Sequence, residues 1–284
     1  MPAVFIPVWS TGFIVARYGM PHSPPLAFLS VRYALSVLCF LMWISWARPA
    51  WPRGPAQWRH LAVCGVLMHG GYLGGVWAAV KAGMGAGTIA LLVGLQPVLT
   101  AVWLSRQGAS HKVSPRQWLG LGLGLLGLLL VVWHKLGAGE VTRGNLALAV
   151  LALLSITAGT LYQKRFVAPC DVRTANTIQL AAALVVTLPF VPFEPGSVEA
   201  HPHLIGAMAW SVIGLTVGGS SLLYMLIQRG AATQVTSLMY LVPPCTALMA
   251  WVLFGEPVTA TMVAGMVLIA GAVALVVRAP AAAA

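Results

Sequence analysis

Apolar runs of about 20 residues, enough to cross the hydrocarbon core of a bilayer as a helix, recur along the whole chain with short polar breaks between them. They predict helices over residues 3–20, 27–46, 58–80, 85–105, 117–134, 145–165, 174–192, 204–227, 231–254 and 259–278. The alternation of apolar and polar positions that a membrane barrel needs is absent. The breaks are too short to hold a separate soluble domain. The pattern predicts an all-α membrane protein with ten transmembrane helices.

The pattern also repeats. Residues Gly83 to Leu104 and Gly230 to Trp251 superpose at an offset of 147, which sets Gly83 on Gly230, Leu91 on Leu238 and Pro97 on Pro244. The same offset sets Gly12 on Gly159, Arg17 on Lys164 and Trp77 on Tyr224, and it falls to 145 near the ends, where Gly120 meets Gly265. Five spans per half is an odd number, so the second half must enter the bilayer upside down, an inverted-topology repeat. The predicted repeats are residues 1–136 and 144–278, with 279–284 as a tail. Each half carries proline, Pro97 in one and Pro243 and Pro244 in the other, near the middle of a predicted span. A mid-helix proline removes a backbone hydrogen bond. In a membrane such breaks occur where protein or a water-lined cavity satisfies the freed groups. They are therefore candidate hinges beside a binding site.

Composition agrees: 59% of residues are hydrophobic and 7% charged, against roughly 25% charged in soluble domains. The net charge of +11 comes from loops rather than from a nucleic-acid patch. Arg48, Arg53, Arg59, Arg106, Lys112, Arg116, Lys164, Arg165, Arg173, Arg229 and Arg278 fall on one side of the predicted topology. The other side holds Arg17, Lys81, Lys135 and Arg143, together with the loops that carry Glu194, Glu199 and Glu256. The positive-inside rule places both termini in the cytoplasm. No basic leader precedes Met20, and the first residues read as a span. Cys39, Cys64, Cys170 and Cys245 lack metal-ligand spacing and read as small packing residues.

The residues Trp9-x-x-Gly12-Phe13 with Arg17, Pro25-x-x-Phe28-x-x-x-Arg32, Leu241-Val242-Pro243-Pro244, Phe254-Gly255-Glu256 and Gly265 to Gly271 resemble the drug/metabolite transporter superfamily, in its ten-helix EamA type. The resemblance covers essentially the whole chain. The first half departs at Ser105-Arg106, where the family pattern has Gly-Glu. Within the superfamily the chain is most similar to YddG-type bacterial exporters of aromatic and other neutral amino acids. That implies export of small metabolites across the inner membrane by alternating access.

Residues four apart share a helix face, which selects a candidate substrate path. It comprises Trp9 and Phe13, His69 and Tyr72, Thr88 and Gln96, Ser155 and Tyr162, Ser220 and Tyr224, and Ser237 and Tyr240. Aromatic walls with a few hydroxyls and amides suit an apolar side chain with polar ends. Close helix packing explains a Ser or Thr equally well. Arg32 either snorkels to the outer interface or faces the cavity and attracts a carboxylate. The small-residue spacings Gly70/Gly74, Gly71/Gly75 and Gly120/Gly124 read as packing faces, the last also compatible with a weak homodimer.

All five acidic residues lie in loops or at helix ends. Glu256 is expected to face the N-terminus of the last helix, where negative charge is favoured. With no carboxylate at membrane depth, substrate is expected to move down its own gradient, His69 being the one titratable candidate for coupling. No enzyme constellation, cofactor motif or metal site is expected. A channel fits a broken-helix repeat less well than a transporter. A phosphate-ester or nucleotide-sugar antiporter is the nearest rival, but it calls for paired basic residues in the ninth span, which has none.

Overall fold

The computed structural model describes residues 2–105, 115–137, 139–219, 222 and 241–277. Among these residues the regular structure is helical throughout. The helices are α1 (Pro2–Gly19), α2 (Pro25–Ala47), α3 (Pro55–Lys81), α4 (Ala86–Val93), α5 (Gln96–Ser105), α6 (Pro115–Gly137), α7 (Arg143–Phe166), α8 (Val172–Thr187), α9 (Pro202–Gly219), α10 (Val242–Phe254) and α11 (Ala260–Val277). Among the described residues five segments are long and apolar enough to span a membrane: Pro25–Ala47, Pro55–Lys81, Arg143–Phe166, Val172–Phe193 and Pro202–Gly219. Shorter apolar helices accompany them, including Ala86–Thr100 and Val242–Phe254.

Local chemistry sets the ends. Pro25, Pro55, Pro202 and Pro243 stand in the first turns of α2, α3, α9 and α10, where a missing N–H costs no helical bond. Thr142 and Asn145 form a reciprocal capping box on α7. Gly255 ends α10 at φ +66°, a left-handed conformation that glycine adopts without strain. Large apolar side chains such as Met42, Val185, Ile213 and Val267 point outward. That outward apolar belt suits lipid rather than water. The four cysteines are unpaired.

The break in the fourth predicted span is not at its proline. α4 stops at Val93, Gly94 and Leu95 turn, and α5 starts at Gln96. Pro97 is therefore the second residue of a new helix rather than an interruption within one. Pro243 and Pro244 likewise stand in the first turn of α10. Proline suits first-turn positions, which accounts for the correction at Pro97. The two starts meet: a Cβ on Gly94 would lie 3.0 Å from Cγ of Pro243.

Packing pairs elements from both ends of the chain. α2 lies along α8, α6 along α11, α3 against α7 and α8, and α1 against α9 and α10. Gly159 on α7 receives Met68 of α3, and Gly12 on α1 faces Leu215 of α9. Gly71 and Gly75 press α3 onto Ser155 and Ala152 of α7. Gly124 is used within the chain, against Leu95, Val98 and Ala272.

The connections pair too. At one end of the bundle the Gln57 side chain donates to the Ala168 carbonyl (2.8 Å) and accepts from Ala168 N–H (3.2 Å), which joins the first turn of α3 to the α7–α8 link. At the other end Glu194 accepts from the Leu26 and Ala27 N–H groups at 2.8–3.0 Å, which joins the α8–α9 link to the start of α2.

Candidate functional site

Two helices change their winding in mid-course. α3 is π-helical over Val66–Leu73, and α9 is π-helical over Trp210–Gly219. Such wide turns are rare and concentrate at functional sites. Glycine makes them accessible here: His69-Gly70-Gly71 in α3, and Gly214 and Gly218-Gly219 in α9. The Thr216 hydroxyl donates back to the Ser211 carbonyl five residues earlier (2.8 Å). That closes one of the wide turns.

Arg32 enters at this level. It lies ~10 Å along α2 from Pro25, at 1.5 Å per residue. It is only 7% exposed, so it does not snorkel. Its Nε and Nη2 donate to Oγ1 of Thr216 at 3.4 and 3.2 Å. Its guanidinium carbon stands 5.9 Å from the Trp77 ring centre, and Trp77 stacks on Phe28 at 4.4 Å. No carboxylate pairs with it among the described residues, and it is the only buried cation there. Burying a charge without its counter-charge is costly, so the site holds an unmet demand for an anion.

Opposite, the Gln179 side chain faces the His69 side chain. The Tyr33 hydroxyl donates to the His69 carbonyl at 2.8 Å. Thus the wide turn of α3 is tied to α8 and α2, and the wide turn of α9 to α2. The candidate site is this band: Arg32, Tyr33, Trp77, His69, Gln179 and Thr216.

Of the residues selected from sequence, His69 belongs to the band and Tyr72 lies on the same wide turn, half-buried. Trp9 is half-buried beside Gly219, and Phe13 is in the core. Gln96 donates to the Thr160 hydroxyl at 2.9 Å, which bridges α5 to α7. Thr88 is drawn to the helix end instead, donating to Glu140 Oε1 at 2.7 Å. Ser155 is buried under Gly71, and Tyr162 bonds His60 Nδ1 at 2.9 Å near the end of α7. Ser220, Tyr224, Ser237 and Tyr240 lie outside the described residues.

Four of the five acidic residues, Glu140, Asp171, Glu194 and Glu256, cap helix starts. Glu256 accepts from Ala86 and Gly87 N–H groups at 3.1 and 3.4 Å, so it serves α4 and not the last helix. The chain turns back at Gly255, and this aims the carboxylate at the neighbouring helix end. Arg17 approaches the same carboxylate at 3.8 Å. Glu140 accepts from Gly85 N–H at 3.1 Å on the same helix end. Asp171 caps α8, and the Arg173 guanidinium on it holds its carboxyl below the usual carboxylate range.

Comparison with known proteins then names the class. The model of the EamA-like transporter family matches residues 3–133 and again residues 144–278. The chain belongs to that family, and it is a multi-helix membrane transporter. It is 25% identical over 272 residues to a probable amino-acid metabolite efflux pump of Salmonella typhimurium, covering 92% of this chain and 88% of that protein. A protein of the same description from Escherichia coli K12 is 23% identical, with 92% and 88% covered. The uncharacterized inner membrane transporter YedA of Escherichia coli K12 is 26% identical, with 88% and 80% covered. A solved crystal structure superposes with a TM-score of 0.63 at 17% identity, covering 97% of this chain and 95% of that one, a likeness of fold alone.

Proposed function

We propose that the protein exports small neutral amino acids, aromatic ones among them, across the bacterial inner membrane by alternating access. The observation that carries the substrate class is Arg32, a buried cation without a counter-charge beside the aromatic wall of Phe28 and Trp77. A substrate carboxylate meets the cation, and an apolar side chain suits the wall. The names of the Salmonella and Escherichia coli relatives point the same way.

The architecture we propose is ten spans in two inverted repeats, residues 1–136 and 144–278, with both termini cytoplasmic. Matching jobs at matching positions support it. Arg32 and Gln179 are 147 apart, as are His69 and Thr216, and the first pair reaches across to the second. Gly12 with Leu215 and Gly159 with Met68 repeat the relation. The ends bearing Arg48, Arg53, Lys164 and Arg165 are then cytoplasmic. Gly94 and Pro243 form the contact at which the two halves move, with Pro97 and Pro244 next to it along the chain.

All five acidic residues of the chain stand at helix ends or in connections. A proton-coupling carboxylate at membrane depth is therefore lacking, and substrate runs down its own gradient. A phosphate-ester antiporter would want more than one deep cation, and the described part of α10 has none.

The test is counterflow in proteoliposomes with phenylalanine, tryptophan, threonine, methionine and a triose phosphate, with and without a pH gradient. Neutral amino acids should exchange, and the pH gradient should not drive accumulation. Exchange of the triose phosphate alone would overturn the reading.

A further inference from the structure

At the end of the bundle that carries Glu194 and Glu256, three histidines converge from two distant stretches of chain. His22 closes the short turn after α1, while His201 and His203 open α9. Each offers a ring nitrogen, and these nitrogens lie within 4.8 Å of one another. The rings of His22 and His201 are parallel at 3.9 Å, and His203 meets His201 edge-on at 4.7 Å. His201 Nδ1 accepts from the His203 backbone N–H at 3.2 Å, so a metal bound at Nε2 requires the Nδ1-protonated tautomer, and His201 gives up that bond when its ring turns to the ion. The Glu199 carboxylate stands 3.9 Å from His22 Nδ1.

The backbone under the cluster is held from several sides. Lys81 Nζ donates to the Met20 carbonyl at 2.6 Å. Glu199 N–H donates to the His22 carbonyl at 2.9 Å. Tyr18 packs on the His203 ring at 5.4 Å. The imidazoles are therefore carried on fixed main chain, while their side chains can turn. At least His203 is exposed, so an ion has access.

We infer that His22, His201 and His203 form a divalent transition-metal site, with Glu199 as the fourth ligand. Neutral imidazoles suit Zn²⁺, Ni²⁺ and Cu²⁺ rather than Mg²⁺ or Ca²⁺, which take oxygen. Zinc needs Zn–N distances of about 2.0–2.1 Å in a tetrahedron, so the nitrogens must close up by turning about their side-chain bonds. His22 lies in the segment matching residues 3–133 and the other two in that matching 144–278, so a bound ion ties one matched segment to the other. It acts as a staple that hinders the movement transport requires. Binding stands independently, whereas the staple rests on the transport reading.

Tag-free protein in detergent is titrated with ZnCl₂ by calorimetry, with CaCl₂ as control, and zinc is added outside proteoliposomes during phenylalanine counterflow. The expected result is one zinc per chain, no calcium binding, at least tenfold weaker zinc binding in His201→Ala and in the exposed-site variant His203→Gln, and counterflow slowed severalfold by zinc in the wild type only. Equal zinc affinity in the wild type and both variants would overturn the site. Tight binding with no effect on counterflow would overturn the staple, and absence of counterflow even without zinc would instead count against the transport reading.

Discussion

Arg32 donates to Thr216, on a helix 184 positions away in sequence, with Nη2 3.2 Å from the hydroxyl oxygen. The Thr216 hydroxyl in turn donates its hydrogen bond to the Ser211 carbonyl, inside the wide turn of α9. One hydroxyl thus holds both a buried charge and an irregular stretch of helix. Thr216→Val keeps the volume and removes the acceptor, leaving the guanidinium without a polar partner. We expect a loss of about 1–3 kcal/mol of stability, read as a lower melting temperature in detergent. Adding Arg32→Met should restore most of it, because the charge goes with its partner. If the double variant melts no higher than the single, Arg32 is satisfied by something other than Thr216.

The mirror relation predicts a matching weakness on the other side. Gln179→Leu should disturb the wide turn of α3 through His69 and slow transport severalfold, while the protein still reaches the membrane. Wild-type transport in Gln179→Leu would sever that link.

A third prediction concerns the contact between helix starts. Gly94→Val brings side-chain atoms onto Pro243, where even a Cβ would lie at 3.0 Å. Pro97→Ala changes only a first-turn residue that needs no N–H. Transport should fall at least tenfold in Gly94→Val and less in Pro97→Ala. The opposite order would return the hinge to the proline.

Glu256 offers a stability test. Glu256→Ala leaves the Ala86 and Gly87 N–H groups without their carboxylate. Loss of a helix cap costs about 0.5–2 kcal/mol, and Glu256→Gln should recover part of it. Thermal unfolding in detergent measures both, and an unchanged melting temperature in Glu256→Ala would remove its role as a cap.

Much of the fold was legible in sequence. Apolar runs located helices to within a few residues, as with 58–80 against Pro55–Lys81. Matching Gly12 to Gly159 already pointed at two residues that do the same packing job. The site was less legible. Selecting faces by steps of four assumes regular winding, and the wide turns at Val66–Leu73 and Trp210–Gly219 re-aim His69 and Thr216. Thr88 and Ser155 looked like path residues because a sequence does not show that Glu140 and Gly71 wait opposite. Gln179 was missed for want of any periodic signal, though its place 147 residues after Arg32 could have found it. Glu256 was assigned to its own helix because charge-at-N-terminus reasoning looks along the chain, whereas Gly255 turns it onto α4.

Orientation has its own check. In a cysteine-free background, a cysteine at Ser197 should react with an impermeant reagent on intact cells, and one at Ala56 only after permeabilisation. The reverse would invert the topology.

The central claim is that Arg32 holds the carboxylate of a neutral amino acid. The most direct measurement is the KM for phenylalanine and for phenylethylamine, which lacks the carboxylate, in proteoliposomes of wild type and Arg32→Gln. The account predicts that wild type prefers phenylalanine, that Arg32→Gln raises its KM at least tenfold, and that phenylethylamine is unaffected by the substitution. An equal loss for both compounds, or no loss for phenylalanine, would contradict it and leave Arg32 a packing residue.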